Sequence, residues 1–405
     1  MRIAVTGIGM VTALGHGIEV NWASIQAGRS GVREITRFDT TGMKARVAAC
    51  VDYPEDASGT PLPSPERLRR MGSAAIAEAL AQSGLPTPFP GPLCFGLPPV
   101  EIEWPQRLAF AASDHDGLIT AARGHTGHYE DFLLGGVAAW LAERFGTQGV
   151  PQAVTTACAS GASAIQLAIE AIRRGEADCA IAGGAEASLQ PEAFIRFGLL
   201  QALSSRNDPP EAASRPFTKS RDGFVMGDGA GALILENEAH ARARGATILG
   251  YVLGAGEAAD TFHRTRSSPD GHAIVEAMER ALADAGLSPA EVGYINAHGT
   301  STPENDKMES LAAKLVFGAE APPPISSTKS MIGHTLSAAG AIEAGVCLLA
   351  LRDQILPPTI NQDDPDPEVG MDTVPVARPH AFRAALSNSF GFGGQNVCVV
   401  LGAAE

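Results

Sequence analysis

The stretch "AVTTACASGASAIQLAIEAI", residues 153–172, places a cysteine between a short strand pattern and a long helical pattern. Apolar residues recur at helical spacing after the cysteine and predict a helix over residues 162–174. Cys158 would therefore lie near the first turn of a helix, where the positive end of the helix lowers the pKa of a thiol. The segment predicts a nucleophile, and a buried structural cysteine is the alternative.

The order strand, tight turn and long helix recurs in "PISSTKSMIGHTLSAAGAIEAGVCLLAL", residues 324–351. Elsewhere short apolar runs such as "RIAVTGIG", "GALILE" and "VGYINAHG" alternate with helical patterns, which is typical of α/β layers. Several of these runs are apolar on both faces, as in a sheet covered by helices on both sides. We predict an α/β fold of two related halves, residues 1–245 and 246–405, with a divergent segment at residues 55–150.

The composition limits the partners and the compartment. The 405 residues carry a net charge of −15, which argues against a nucleic-acid partner. No apolar run reaches the roughly 18 residues of a membrane span, and the opening "MRIAVTGIGMVTALG" has the pattern of a strand and turn rather than of a targeting leader. The six cysteines form no CxxC pair and do not suggest a disulfide framework, so we expect a reducing, cytoplasmic location.

Two further segments carry ionisable residues at strand-to-turn junctions. In "YINAHGTSTPENDKMES", residues 294–310, His298 lies between an apolar strand pattern and a loop of small hydroxyl residues. In "SSTKSMIGHTLSAAGAIEA", residues 326–344, Lys329 and His334 lie in a turn before a helix of small residues, which also carries Glu343. Each of these residues alone would more often be structural. Together with Cys158, they predict an active site.

Four motifs resemble the signatures of one enzyme family, the elongating β-ketoacyl-[acyl carrier protein] synthases. They are "TACASG" at 156–161, "NAHGTST" at 296–302, "STKSMIGHTLSAAGAIE" at 327–343 and "SNSFGFGGQN" at 387–396. The stretch "RNDPPEAASRPFTKSRDGFVMGDGAGALILE", residues 206–236, is also similar to that family's central segment. The resemblance covers residues 1–50 and nearly all of 150–405, and it implies a thiolase-like, five-layered αβαβα fold.

The resemblance also implies a decarboxylative Claisen condensation that extends an acyl chain by two carbons. Cys158 would take an acyl group from the phosphopantetheine of an acyl carrier protein as a thioester. His298 and His334 would then donate hydrogen bonds to the enolate left when a malonyl group loses carbon dioxide. Lys329 would tune the charge around His334, and Glu343 would orient the histidines and the lysine.

The remaining site residues follow from the same resemblance. The backbone N–H groups of Cys158 and Phe392 would form an oxyanion hole, and Phe390 and Phe392 would gate the acyl pocket. Thr300 and Thr302 would bind the pantetheine arm. The histidines are not spaced as zinc ligands, so we expect no metal and no cofactor beyond the arm of the carrier protein.

The resemblance implies an acyl carrier protein as partner and a homodimer, with a heterodimer of related subunits as the alternative. Because carrier proteins are acidic, docking on a negatively charged chain requires a local basic patch. The family's docking positions correspond to Arg67, Arg69 and Arg70 in "ERLRRM" and to Arg206. The alternative is that these arginines form an ordinary solvated surface.

The segment "FGLPPVEIEWPQRLAF", residues 95–110, departs from the glycine-rich pattern of the family. Its prolines fix the backbone, and Trp104 adds a large rigid side chain near the expected acyl pocket. We predict that this segment changes acyl-chain preference and favours a specialised pathway. A remodelled surface loop is the alternative.

Two other functions remain open from the sequence. A thiolase acting on coenzyme A thioesters would show a second reactive cysteine in the C-terminal glycine-rich loop, but Cys398 instead follows that loop in a strand pattern. A non-catalytic partner that sets chain length would lack the nucleophile, whereas Cys158, His298, Lys329 and His334 are all present.

Overall fold

The computed structural model of the chain describes residues 1–58, 61–100, 103–104 and 133–405. The strands of the described residues are β1 (Ile3–Thr12), β2 (Gly15–His16), β3 (Arg33–Glu34), β4 (Val47–Ala48), β5 (Leu93–Gly96), β6 (Gln152–Val154), β7 (Cys179–Glu186), β8 (Gly229–Asn237), β9 (Gly250–Ala259), β10 (Tyr294–Asn296), β11 (Ile325–Ser326), β12 (Ile355–Leu356), β13 (Arg378–Pro379), β14 (Ala384–Phe390) and β15 (Gln395–Ala403). Their α-helices are α1 (Ile18–Gln26), α2 (Ser64–Ser83), α3 (Gly136–Phe145), α4 (Ser160–Arg173), α5 (Pro191–Leu199), α6 (Glu238–Ala243), α7 (His272–Ala285), α8 (Pro303–Phe317), α9 (Lys329–Ile332) and α10 (Ala339–Asp353).

The main strands form two half-sheets that meet at one short ladder. In the first half-sheet the order is β1-β8-β7-β5-β6, and in the second it is β11-β10-β14-β15-β9. The halves join where Ile3–Val5 of β1 pairs antiparallel with Gly250–Val252 of β9. The predicted boundary at residues 245 and 246 lies just before β9, and the two-domain division stays a prediction.

Helices form the other three layers. The two central helices, α4 and α10, pack against each other and contact strands of both half-sheets. On the outside, α2 and α3 cover the first half-sheet, and α7 and α8 cover the second. The predicted αβαβα arrangement is therefore confirmed, and the apolar strand patterns follow from burial on both faces.

The central helices approach closely through a matched pair of glycines. A Cβ built on Gly161 would lie 2.7 Å from the backbone nitrogen of Ala341, and one on Gly340 would lie 2.5 Å from that of Ala162. Such contacts are too short for any side chain at these two positions. The glycines that follow the two turns thus allow the halves to pack in an equivalent way.

The same equivalence appears in the turns before the helices. A 3₁₀ turn, Ala157–Ala159, leads into α4, and another, Leu336–Ala338, leads into α10. The first residue of each turn has a positive φ, 48° at Ala157 and 36° at Leu336. Cys158 occupies in the first half the place that Ser337 occupies in the second. All six cysteines are buried free thiols.

No helix among the described residues is sufficiently long and apolar to cross a membrane.

Candidate active site

Three predicted residues converge in the core between the halves. The Cys158 sulfur and a ring nitrogen from each of His298 and His334 all lie within 4.8 Å of one another. All three side chains are buried and line a cavity of about 360 Å³. The cysteine comes from the first half of the chain and both histidines from the second, so the site exists only where the halves meet.

A strained but well-bonded turn holds the cysteine. Ala157 adopts the left-handed region, which costs a residue with a side chain on the order of 1 kcal/mol or more. Hydrogen bonds secure this conformation. The Ala159 N–H donates to Thr156 O at 3.0 Å, and the Ser160 hydroxyl donates to Ala157 O at 2.6 Å. The turn points the sulfur toward the histidines instead of into the helix.

The expected lowering of the Cys158 pKa is wrong for the resting protein. Burial raises the pKa of this thiol to about 12, which outweighs the opposing effects of the backbone N–H of Phe392 and the charge of Lys329. Helix position alone predicted a thiolate because the depth of burial cannot be seen in a strand-and-helix pattern. The resting nucleophile is a thiol.

Both histidines are neutral in this environment. Burial lowers the pKa of His298 and of His334 well below the usual imidazole value, and the nearby charge of Lys329 lowers both further. The ring centroids lie 5.1 Å apart with the planes nearly perpendicular, at 83°. A neutral imidazole has one N–H, so each ring can donate a hydrogen bond without carrying charge.

Lys329 and Glu343 form a buried ion pair beside the histidines. Each side chain is only 1% exposed, and the ammonium donates to a carboxylate oxygen of Glu343. Burial raises the pKa of Glu343 to about 7, although Lys329 opposes that shift. The charge of Lys329 acts on the sulfur and on both imidazoles and lowers the pKa of each.

Two buried carboxylates that the sequence reasoning missed hold the site in place. Glu309 on α8 accepts the backbone N–H groups of His298 at 2.8 Å and Gly299 at 2.7 Å. Glu186, at the end of β7, accepts from the Ser337 N–H at 3.1 Å and raises the pKa of Cys158 through its charge. Glu309 shares a face of α8 with Asp306, and acids recurring at helical spacing on a buried face are the signal that could have revealed it.

The predicted pantetheine and gate residues lie along the same cavity. Thr300 and Thr302 line it, with their hydroxyls 2.9 Å apart. Phe390 packs its ring 5.6 Å from that of His298. The backbone N–H groups of Phe392 and Cys158 both lower the pKa of the Cys158 thiol, so the two groups predicted as an oxyanion hole act on the sulfur. Their role in holding an oxyanion stays a prediction.

The donor set could in principle hold a metal ion, because one thiol and two imidazoles are common zinc ligands. The charge of Lys329 acts on all three groups, lowering the pKa of each. A positive charge at this position opposes a second cation. The arrangement fits hydrogen-bond donation to a developing anion better than metal binding.

The predicted docking arginines do not form one exposed patch. Arg67 is 2% exposed, pairs with Asp56 and donates to the carbonyl of Leu62 at 2.9 Å, so its assignment to a docking surface is wrong. Arg70 is engaged by Glu55 and Glu66, at 2.8 Å each.

The two other predicted arginines are half-buried. Arg69 has its guanidinium 6.0 Å from the ring centroid of Trp140. The backbone N–H of Arg206 donates to the Ser204 hydroxyl at 3.3 Å.

Half of the proline-containing segment at residues 95–110 lies outside the described residues. Trp104 is described and is 55% exposed, and it is absent from the side chains that line the cavity. Among the described residues Trp104 is not part of that lining, which favours the surface-loop alternative for this side chain. Pro98 is buried and Pro99 is exposed.

A loop that the sequence reasoning missed borders the cavity. Residues 263–267, "HRTRS", contribute to its lining and include Arg264 and Arg266. Two arginines in an otherwise polar loop of an acidic chain were the available signal.

Known proteins share both the sequence and the fold. Residues 1–241 match the family model described as beta-ketoacyl synthase, N-terminal domain, and residues 249–363 match the C-terminal domain model. The chain is 40% identical over 415 residues to 3-oxoacyl-[acyl-carrier-protein] synthase 2 of Vibrio cholerae serotype O1, covering 98% of this chain and 97% of the relative. It is 38% identical over 422 residues to a putative polyketide beta-ketoacyl synthase 1 of Streptomyces cyaneus, covering 99% and 97%.

A solved structure agrees with these relatives. It is a type II polyketide synthase acyl-carrier protein in complex with its ketosynthase bound to the hexaketide, and it matches with a TM-score of 0.87 and 34% identity. The match covers 100% of this chain and 99% of that chain.

Proposed function

The chain belongs to the beta-ketoacyl synthase family, and from this premise we propose that it carries an acyl group on Cys158 and condenses it with a malonyl group. As a member of that family it is an acyltransferase. This class is favoured over the two alternatives, a thiolase and a non-catalytic partner subunit. The observation that carries the proposal is the convergence of the Cys158 sulfur with His298 and His334 within 4.8 Å at one cavity.

The first half-reaction moves the acyl group onto the enzyme. The Cys158 sulfur attacks the carbonyl of the incoming thioester, and the carbonyl oxygen takes the negative charge. The backbone N–H groups of Cys158 and Phe392 stabilise that oxygen, since fixed amide donors at a developing charge lower the barrier. The bond to the pantetheine sulfur breaks, and the thiol proton of Cys158 leaves with that sulfur.

The second half-reaction begins with loss of carbon dioxide from a malonyl thioester. The electron pair of the broken carbon–carbon bond forms an enolate, whose oxygen accepts N–H hydrogen bonds from His298 and His334. The enolate carbon then attacks the acyl carbonyl on Cys158, a new carbon–carbon bond forms, and the bond to Cys158 breaks. One proton from solvent restores the thiol, and the product is two carbons longer.

Lys329 and Glu343 position this machinery without touching the reacting carbons. Burial, reinforced by the lysine charge, keeps both imidazoles neutral, which preserves them as uncharged donors. Glu343 holds the ammonium in place, because a buried cation without a partner would be costly. Phe390 and Phe392 close the cavity over the sulfur, and Thr300 and Thr302 bind the arm that brings each substrate.

An acyl carrier protein delivers both substrates on its phosphopantetheine arm, and no metal or other cofactor takes part. Six free thiols without a disulfide are typical of a reducing compartment and support a cytoplasmic location. The relatives include proteins named as a 3-oxoacyl-[acyl-carrier-protein] synthase and as a putative polyketide beta-ketoacyl synthase, which supports an acyl chain of fatty-acid or polyketide type.

A second copy of the chain covers the open edge of the first half-sheet. Within the described residues, β6 is the last strand at that edge and ends four positions before Cys158. An unpaired strand edge is a template for pairing with another chain. Pairing through β6 would place the two active sites next to the interface of a homodimer, with a related partner subunit as the alternative.

The test is condensation by the purified protein with acyl and malonyl carrier proteins. The wild type is expected to yield the β-ketoacyl product and carbon dioxide, and Cys158→Ala is expected to yield neither acyl-enzyme nor product. The substitution replaces one small side chain with another, so the circular dichroism spectrum and unfolding midpoint should stay near wild type. Near-normal product formation by Cys158→Ala would refute the assignment.

A further inference from the structure

A strip of alternating exposed side chains follows the rim of the catalytic cavity. Phe262, Arg264 and Arg266 are exposed, whereas the intervening His263 and Thr265 are half-buried. Phe262 is 55% exposed, which is unusual for a side chain of its size. Both arginines also contribute to the cavity lining, so the strip lies where a substrate arm would enter.

Backbone hydrogen bonds fix the strip to the glycine-rich loop that carries Phe392. The Gly393 N–H donates to the Arg264 carbonyl at 2.7 Å, and the Asp260 N–H donates to Gly394 O at 2.8 Å. The Asp260 carboxylate also accepts from the Phe262 N–H at 2.9 Å. The strip is therefore an ordered surface, and its position relative to the site is set.

The two arginines are uncommitted cations. Neither Arg264 nor Arg266 forms an ion pair with another residue in the described part of the chain. By contrast, the earlier candidates Arg67 and Arg70 are neutralised by the chain's own carboxylates. Three acidic residues line the cavity: Asp222, which two serine hydroxyls engage; Asp260, which is buried and accepts the N–H groups of Phe262 and Ser268; and Glu304 at the start of α8.

Charge complementarity decides which partner fits this strip. A chain of net charge −15 repels an acidic protein unless a local positive surface receives it. An exposed aromatic residue flanked by arginines is the composition typical of the energetic centre of an interface. The substrate carriers of this family are acidic and must deliver their arm through the cavity that the strip borders.

We propose that Phe262, Arg264 and Arg266 form the surface on which the acidic carrier protein docks. The inference rests on the proposed function in one respect only, that the substrate arrives on a carrier. The acidic side chains of the carrier pair with the two guanidinium groups, and an apolar side chain of the carrier packs on Phe262. The strip therefore recognises the folded carrier protein and does not recognise its phosphopantetheine arm.

The test compares Arg264→Glu, Arg266→Glu and the double variant with Arg383→Glu. Arg383 is a matched control because it is exposed and lies far from the site. It precedes β14, and Phe390 is the last residue of that strand, so the length of the strand separates Arg383 from Phe390 by about 20 Å. For acyl carrier protein substrate, the double variant is expected to raise KM about tenfold, since two attractions become repulsions. It should also flatten the salt dependence of KM, and the control should keep wild-type values.

Two smaller substrates separate this docking from other roles. Acylation of Cys158 by an acyl-pantetheine, which has neither protein nor phosphate, and by acyl-coenzyme A is followed by intact mass. The proposal is supported if KM rises for the carrier-protein substrate and stays at the wild-type value for the two smaller substrates. An unchanged KM for the carrier, or an equal rise with acyl-coenzyme A that assigns the arginines to phosphate, overturns it. Failure of wild-type protein to be acylated by any of the three would instead contradict the role of Cys158.

A second variant addresses the aromatic contact. Phe262→Ser removes an exposed side chain and leaves the fold intact, and it is expected to raise KM for the carrier several-fold without altering the salt dependence. A KM equal to that of the wild type would remove Phe262 from the docking surface.

Discussion

Transfer of the Cys158 proton to a neighbouring imidazole would create the thiolate–imidazolium ion pair that many cysteine enzymes use. The structure predicts that this ion pair does not form in the resting protein. The thiol has a pKa of about 12, and both imidazoles have pKa values below 6.5. Even from an ordinary imidazole pKa of about 6.5, the gap of about 5.5 pKa units corresponds to an unfavourable transfer of about 7.5 kcal/mol.

Attraction between the resulting charges cannot offset this cost. The sulfur and the ring nitrogens lie within 4.8 Å of one another. At an effective dielectric constant of about 20, opposite charges attract by roughly 3.5 kcal/mol at that distance and by about 5 kcal/mol at 3.5 Å. The neutral pair therefore stays favoured by about 2 kcal/mol or more, and the resting site holds a thiol beside two neutral imidazoles.

The rate of alkylation by iodoacetamide reports the thiolate directly, because only the thiolate reacts. Between about pH 6 and pH 10, we expect the logarithm of the rate at Cys158 to rise by about one for each pH unit, without a plateau. Intact mass and peptide mapping follow the modification, and Cys158→Ser gives the background from the other buried thiols. A rate that is independent of pH between about 6 and 8 would demonstrate an ion pair and refute the reasoning.

Three further results are expected. His298→Ala and His334→Ala should slow release of labelled carbon dioxide by on the order of 10²–10³ while sparing acyl transfer to the enzyme, because the enolate oxygen forms only in the second half-reaction. Equal loss of both steps would contradict the assignment of the histidines to the second half-reaction. Glu343→Leu should lower the free energy of unfolding by about 3–5 kcal/mol in chemical denaturation, since it leaves a buried ammonium unpaired. Lys329→Met should cost less, because burial already raises the pKa of Glu343 to about 7 and its carboxyl can then take up a proton, and the double variant should cost less than the sum. Trp104→Ala should leave the preferred acyl length unchanged in a competition assay, because this exposed side chain is outside the cavity lining, and a shifted preference would place it against the substrate.

Local patterns in the sequence predicted the α/β class and a common site, whereas the five-layered arrangement and the roles of the site residues followed from the family resemblance. The repeated order of strand, turn and helix predicted two halves, and the structure brings the two turns together through Gly161 and Gly340. Motifs around Cys158, His298 and His334 predicted a common site because each lies at a strand-to-turn junction. Such junctions lie near one another at one edge of a layered fold, and the length and shape of the connecting loops do not change this.

Properties set by burial and by distant contacts were harder to predict. The pKa of Cys158 depends on how completely the two halves exclude water, which no local pattern encodes. The burial of Arg67 depends on Asp56 and on a loop carbonyl, although its spacing from Met71 and Ala75 already placed it on the apolar stripe of α2. Along residues 262–266 exposed side chains alternate with half-buried ones, but apolar residues do not alternate with polar ones, so only the folded chain reveals the position of the strip at the cavity.

The most direct test of the central claim is the mass of the protein after incubation with an acyl carrier protein thioester alone. The account predicts one acyl adduct per chain, mapped to Cys158, which disappears when malonyl carrier protein is added and reappears as a product two carbons longer. An adduct on another residue, or one on Cys158 that malonyl carrier protein fails to discharge, would contradict the account.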